Sequence, residues 1–350
     1  MPQPVHLSLL ALAAVLSALA TPGVLVLCRR FRAFDMPDER KVHRRSVPRM
    51  GGVAIFAVFS LVLIAAAYGV LGNVVDLPLQ EARLVPVIYL GLCGFFLIGF
   101  VDDIRSLPPL PRLVAQLVVA LCVVIFSGDG GLLISSAFGQ YIFPYWLAVA
   151  ITVLWIVGVV NTFNWIDGLD GLAAGVAGIS AAAFLILAFF KPGLPNATLT
   201  AALCAVLIGS VLGFLPYNLH RARIFLGDGG AFCLGYLLAV TSVVGLFKQA
   251  AVISFIVPVA ILALPIGDTI FAIARRLWRG QPVLAPDNRH IHHRILALLS
   301  RGYRRKLPYE ALGSAEERQL EGRAHRNTVF GLYAFAATFA ALAVGLGLRP

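Results

Sequence analysis

Apolar runs of about twenty residues recur from one end of this chain to the other, and each is long enough to cross a bilayer as a helix. Ten can be marked, at about 5–27, 51–71, 84–101, 113–127, 145–163, 171–190, 198–217, 230–247, 250–273 and 328–348. The fourth is short enough to be tilted or broken. The expectation is an all-α, polytopic integral membrane protein of about ten transmembrane helices, with residues 1–350 forming one domain. Composition excludes an ordinary soluble domain, because 13% of residues are charged where soluble domains carry about 25%. The first run lacks a basic leader and a small-residue cleavage site, so it reads as a retained helix. Cys28, Cys93, Cys122, Cys204 and Cys233 lie in or beside apolar runs, without metal-like spacing or a disulfide framework.

Charge then orients the runs. If the gaps between spans are numbered alternately, one side holds 24 Lys and Arg and the other holds 4. The positive-inside rule places the basic side in the cytoplasm and both termini outside. Residues 274–327 become a large basic cytoplasmic loop, in which 300–326 reads as a mobile or amphipathic segment. The basic loops suit anionic lipid headgroups and an anionic substrate. The pI near 9.9 therefore does not point to nucleic acid.

The polar residues that interrupt the runs cluster at those cytoplasmic ends. Asn161-Thr-Phe-Asn-Trp-Ile-Asp-Gly-Leu-Asp-Gly-Leu-Ala-Ala-Gly175 packs two amides, two carboxylates and three glycines into fifteen residues. On a helix, positions three apart share a face, which pairs Asn161 with Asn164 and Asp167 with Asp170. Caps and turns account for one or two of these residues but not for all seven. Asp102 and Asp103 end the third run, and Arg112 opens the next one within reach of a phosphate. Asp228 sits among three glycines after Phe225, which suits a base-stacking and metal-binding turn, although an Asp at a helix start is also a common cap. Lys41 and His43 lie in a loop where acids and prolines interrupt the basic run. Arg289, His290, His292, His293 and Arg294 form a second cluster. Its histidines do not share a helix face, so a loop is expected, and phosphate binding is more economical than zinc.

Five aspartates at mid-bilayer would cost about 15 kcal/mol at about 3 kcal/mol each. That matches or exceeds the net stability of a typical domain, about 5–15 kcal/mol. Asp102, Asp103, Asp167, Asp170 and Asp228 must therefore line a water-accessible site, where a hard cation would offset their repulsion. Acids, amides and basic residues on one membrane face suit Mg²⁺-dependent phosphoryl chemistry with a membrane-borne partner. An ion-coupled transporter is the competing class, but it needs carboxylates near mid-span and an inverted repeat. Only Asp268 fits that pattern, and neither a partner nor a role can be read for it.

At five places in order the chain resembles the polyprenyl-phosphate N-acetylhexosamine-1-phosphate transferases. The matching segments are Arg40-Lys-Val-His43 with Pro48-Arg-Met-Gly-Gly52, Val101-Asp-Asp103, Asn161–Gly171, Leu226-Gly-Asp-Gly-Gly230 and His290-Ile-His-His293. The absence of a Gly/Thr-rich loop after Arg-Lys-x-His favours the N-acetylglucosamine branch, and 301–326 is longer than the family pattern leads one to expect. The resemblance implies transfer of N-acetylglucosamine-1-phosphate from UDP-N-acetylglucosamine to undecaprenyl phosphate in the bacterial inner membrane. Such a reaction releases UMP and starts a lipid-linked glycan such as O-antigen; another UDP-N-acetylhexosamine is the alternative donor. By matching positions, Asp228 and Asn164 would hold Mg²⁺, or Mn²⁺ in its place. Asp102 or Asp103 would be the base or would position the lipid phosphate. Asp170 would meet the uracil, with Asp167 supporting the turn. Arg112, His290, His292 and His293 would hold pyrophosphate and sugar, and Lys41 and His43 would close the nucleotide side. A homodimer is compatible with this reading.

The charge asymmetry has a direct test. A topology reporter fused after Pro350 should read as extracytoplasmic, and one inserted near Gly313 as cytoplasmic. The reverse result would remove the shared inner-face site.

Overall fold

The structure, a computed structural model, describes residues 4–31, 33–35, 46–67, 77–128, 131–134, 136–137, 141–191, 193–245, 252–278, 280, 290–305 and 315–348. In chain order the elements are α1 (Pro4–Arg30), β1 (Phe34–Asp35), β2 (Val47–Pro48), α2 (Gly52–Ala67), α3 (Leu79–Ala82), α4 (Leu84–Arg105) and α5 (Pro109–Phe126). There follow β3 (Ser136–Ala137), β4 (Tyr141–Ile142), α6 (Tyr145–Ile166), α7 (Leu172–Phe190), α8 (Ala197–Asn218) and α9 (Gly227–Gly245). The chain continues through α10 (Val252–Ile261), α11 (Ala263–Trp278), α12 (Ile291–Arg304) and α13 (Ala315–Gly347). The strands make two short antiparallel pairs, β1 with β2 and β3 with β4, and all other regular structure among the described residues is helical. The protein is an all-α, multi-pass membrane protein.

Among the described residues, eight helical stretches are long and apolar enough to cross a membrane: α1, α3 with α4, α5, α6, α7, α8, α9 and α13. The short fourth run forms one unbroken helix, α5. Two of the ten expected spans come out differently. Of the second run, the described residues form the 16-residue α2. The ninth is divided at Leu262 into α10 and α11. Pro265 has no N–H to give the Ile261 carbonyl four residues earlier, which breaks the helical ladder there. Ser180 Oγ donates to that freed carbonyl at 3.4 Å.

Helix α9 is the axis of the bundle. Every residue from Gly229 to Gly245 is buried, and α2, α4, α6, α7 and α8 pack around it. Outer helices instead turn apolar side chains outward, as Leu19, Leu97, Val118 and Leu154 do. That pattern is expected where the surrounding solvent is lipid, because leaving water no longer drives helices together. Association in lipid rests on close backbone approach and interhelical hydrogen bonds. Both are present. A Cβ on Gly52 would collide with the backbone N and Cα of Gly230, so α2 meets α9 at a contact only glycine allows. Tyr236 on α9 donates to the Ile88 carbonyl of α4 at 3.0 Å and stacks on Phe95 at 4.9 Å. Ser17 on α1 donates to the Ser210 carbonyl of α8 at 2.6 Å. Buried Glu81 accepts the Leu199 N–H at 2.6 Å, satisfying a free donor in the first turn of α8.

The contact between α2 and α9 is testable. Gly52→Val overpacks a backbone crossing and should cost about 1–3 kcal/mol or more, read as a lowered melting temperature in detergent. Gly158→Ala on α6, where an added Cβ meets nothing within 4 Å, should leave the melting temperature unchanged or raise it. Equal melting behaviour of the two variants would contradict this packing.

Candidate active site

Four chain segments converge at one end of α9: the C-terminus of α4, the C-terminus of α6, the turn before α9 and the segment between β2 and α2. Neighbouring aspartates on a helix point about 100° apart, and here they diverge. Asp102 faces α5. Its carboxylate accepts the Arg112 guanidinium N–H at 2.6 Å and the Leu107 backbone N–H at 2.6 Å. Ser106, with φ +48°, ends α4, and Pro109 at the start of α5 needs no N–H partner. Asp102 therefore staples the α4–α5 corner.

Asp103 faces α9. One oxygen accepts the Asp228 N–H at 2.8 Å and the other accepts the Gly229 N–H at 3.0 Å. A carboxylate on the free N–H groups of a helix start is a favourable use of the helix dipole. Gly227 has φ +76°, and a Cβ there would press on the Asp103 carboxylate, so only glycine admits the acid.

The Asp228 side chain accepts the Asn164 amide N–H at 2.6 Å and the Arg49 guanidinium at 2.8 Å. Arg49 also lies 3.0 Å from Asp103 and 3.9 Å from Asp35. It arrives there because its segment is zipped onto the turn before α9. Phe225 N–H donates to Pro48 O, Gly51 N–H to Phe225 O and Gly52 N–H to Leu226 O, at 2.8, 2.9 and 2.7 Å. Pro48-Arg-Met-Gly-Gly52 carries part of the family resemblance, but the sequence alone assigns Arg49 no role. The available signal was a charge two residues ahead of a glycine pair, with Met50 between them.

Asn161 and Asn164 do lie one turn apart on α6, yet they serve different partners. Asn161 donates to Gln116 of α5 at 2.6 Å. Asp167 and Asp170, in contrast, do not share a helix face. Helix α6 stops at Ile166, and both acids sit in the glycine-containing turn before α7. Burial pushes the Asp167 carboxyl well above its ordinary range, and the charge of Asp228 adds to this. Burial is the largest influence on Asp170 and opposes its charge, but His220, the charge of His325 and the Ala222 N–H together outweigh it and hold that carboxyl below the ordinary range. Asp170 accepts the Ala222 N–H at 3.1 Å and lies 3.4 Å from His220 Nδ1. The His220 ring stacks at 4.5 Å on that of buried His325 from α13.

The histidine cluster is not a loop. His290 is the residue before α12, and His292 and His293 lie in its first turn. Asp268 explains the difference. It accepts the Ile291 N–H at 2.7 Å, which caps the helix, and lies 3.3 Å from His290 Nδ1 and 3.0 Å from His292 Nδ1. The acid without a partner in sequence thus anchors the histidines. A Cβ on Gly168 would meet His292 Nε2 at 2.5 Å and His293 Nε2 at 3.0 Å, so the cluster presses on the Asp167–Asp170 turn.

A cavity of about 840 Å³ opens over this region, lined among others by Arg49, Asp167, Asp170, Phe225, Asp228 and His293. Asp102, Asp103, Arg112, Asn161, Asn164, His290 and His292 do not line it. Lys41, His43 and Arg289 lie outside the described residues. The other wall was not anticipated. Arg318, Glu321, Gly322 and His325, from the first turns of α13, face the cavity. Arg304 of α12 meets Glu317 at 2.6 Å, tying this part of α13 to the histidine helix. The unexplained stretch after residue 300 therefore builds part of the site.

The donors suit a hard cation. Asp228 and Asp103 already hold a guanidinium between them, so their oxygens face a common cation position. The Asn164 amide is adjacent and would present its oxygen after turning about its own axis.

Comparison with known proteins agrees with this architecture. Residues 85–246 match the family described as Glycosyl transferase family 4. A Bacillus subtilis protein named "Probable undecaprenyl-phosphate N-acetylglucosaminyl 1-phosphate transferase" is 37% identical over 79% of this chain and 73% of its own length. A "Decaprenyl-phosphate N-acetylglucosaminephosphotransferase" of Mycolicibacterium smegmatis is 33% identical over 82% of this chain and 74% of its own. A Thermotoga maritima "Undecaprenyl-phosphate alpha-N-acetylglucosaminyl 1-phosphate transferase" is 32% identical over 80% and 78%. With the described parts of its ordered motifs gathered beside one acidic cavity at the end of a membrane bundle, the chain belongs to glycosyl transferase family 4, among the polyprenyl-phosphate N-acetylhexosamine-1-phosphate transferases.

Proposed function

We propose that the protein transfers N-acetylglucosamine-1-phosphate from UDP-N-acetylglucosamine to undecaprenyl phosphate. A phosphate oxygen of the lipid attacks the β-phosphorus of the donor, the bond to the α-phosphate oxygen breaks, and UMP leaves. The product is a lipid-linked pyrophosphoryl sugar that starts a cell-envelope glycan. The site would face the cytoplasm of a bacterial inner membrane, in keeping with the basic asymmetry of the loops. The names of the relatives divide between undecaprenyl and decaprenyl phosphate, and both are polyprenyl phosphates.

One observation carries the reading. Asp228 lines the same cavity as Asp170, Phe225 and His293, so one space offers a cation site beside groups suited to a nucleotide and a phosphate. Mg²⁺, or Mn²⁺ in its place, would be held by Asp228 and Asn164 and would neutralise the pyrophosphate facing these acids. The residues of the chain do the rest. Asp103 fixes the turn that presents Asp228. Asp102 fixes Arg112 at the α4–α5 corner. Both carboxylates are nearly closed to solvent, so we assign them positioning roles in place of a base. A phosphate monoester is already anionic and needs no base to attack. His293 is the histidine that meets the substrate, with His290 and His292 holding it in place through Asp268.

Asp228→Asn removes the charge at constant size and should lower UMP release by at least about 10²-fold, the scale for losing a preorganised charge partner. Its melting temperature in detergent should stay near that of the wild type. Near-normal turnover and metal dependence in a stable variant would move the metal elsewhere.

Asp170 is expected to read the base. Its carboxylate can accept the uracil N3–H, whereas cytosine presents an acceptor at that position. Asp170→Ala should weaken donor binding and blunt the preference for UDP- over CDP-linked sugar. Unchanged discrimination would assign base reading to another residue.

A further inference from the structure

Arg49 sits in the acidic centre, and the motifs assign it no place in the chemistry. Its guanidinium bridges Asp228 at 2.8 Å and Asp103 at 3.0 Å, with Asp35 at 3.9 Å on its outer side. Its side chain is 31% exposed, against 17% and 3% for the two acids it joins, so it enters from the cavity side. Arg112, at the start of α5, is committed to Asp102 at 2.6 Å. Asp103 keeps two backbone N–H donors when Arg49 leaves. Asp228 would keep only the Asn164 amide. The arginine is therefore needed most by the residue proposed to hold the metal.

We propose that Arg49 is a built-in counter-ion that competes with the divalent cation for Asp228 and, once displaced, turns into the cavity to hold the donor's diphosphate. Two cations on one small carboxylate repel each other, so loading the metal weakens the Arg49–Asp228 pair and the pair weakens the metal. A guanidinium freed in this way offers a planar fork of N–H donors that matches phosphate oxygens. The anchor that returns it is local. The Phe225-to-Pro48 and Gly51-to-Phe225 backbone bonds hold the segment in place while the side chain swings. The acidic centre would then never stand without a cation, whether or not metal is loaded.

This rests on the assignment of the metal to Asp228, and the two can be separated. The measurement is Mn²⁺ binding to the full-length protein in detergent, followed by the loss of the free Mn²⁺ spin-resonance signal, with no nucleotide sugar or lipid added. Arg49→Gln should bind Mn²⁺ at least about tenfold more tightly than the wild type, within the usual range of coupling between two ligands of one site. It should also melt at a lower temperature than the wild type when metal-free, and gain more from added Mn²⁺. Arg49→Lys keeps the charge but reaches one acid only, and should fall between the two. If Arg49→Gln fails to fold without metal, Mn²⁺ should restore it, and failure to do so would overturn the exchange. Equal or weaker Mn²⁺ binding by Arg49→Gln would also overturn it. Asp228→Asn serves as the separate control: undiminished Mn²⁺ binding by that variant would remove the metal assignment itself.

Discussion

The structure depends on bringing carboxylates together at the end of a buried helix without leaving their charges exposed to one another. Two unit charges about 4 Å apart interact by about 4 kcal/mol at an effective dielectric of 20, a large part of a domain's net stability. Asp103 and Asp228 meet within the reach of one guanidinium. Their repulsion is offset by two backbone N–H groups at the start of α9, by the Asn164 amide and by Arg49. These same bonds join α4, α6, α9 and the β2–α2 segment, so the electrostatic solution is also the tertiary one. The acids that would make a lipid-embedded bundle unstable become its corner fastenings.

The surrounding bundle supplies rigidity by means suited to lipid. Helix α9 is enclosed on all sides, and its glycines let α2 approach at backbone distance. Hydroxyls such as those of Tyr236 and Ser17 find carbonyls on neighbouring helices. A rigid axis of this kind holds Asp228 in register with residues that are distant in sequence, including Arg49, 179 positions earlier. Helices α12 and α13 then complete the cavity from the other side. Asp268 orders the first turn of α12, and the first turns of α13 extend past the apolar span to close one wall.

Much of this was legible in the chain. Long apolar runs give helices because backbone polar groups in lipid must be satisfied within the segment. The clustering of Asp102, Asp103, Asp167, Asp170 and Asp228 at span ends was equally legible, since charges avoid mid-bilayer. Local pattern misled where a distant group changed the local balance. The histidines look like a loop until Asp268 caps α12. Asp167 and Asp170 look like one helix face until α6 ends at Ile166 and the glycines take over. The ninth run looks continuous by hydropathy, but Pro265 removes a backbone donor that hydropathy does not register.

The sequence by itself determined the solvent of this protein, the helical class and the membrane-edge location of its acids. All three follow from transfer energies of single residues and segments, which do not depend on the neighbours that the fold brings. The tertiary structure alone decided that Asp167, Asp170 and Asp228 line the cavity while Asp102 and Asp103 do not, and which helices those two serve. Asp102 and Asp103 are adjacent and chemically alike, yet one serves the α4–α5 corner and the other serves α9, because a helix turns by 100° per residue and different helices stand on its two sides. The same holds for Arg49, which is an unremarked basic residue in the chain. Only the pairing of its segment with Phe225 and Leu226 makes it the cation shared by the acidic centre.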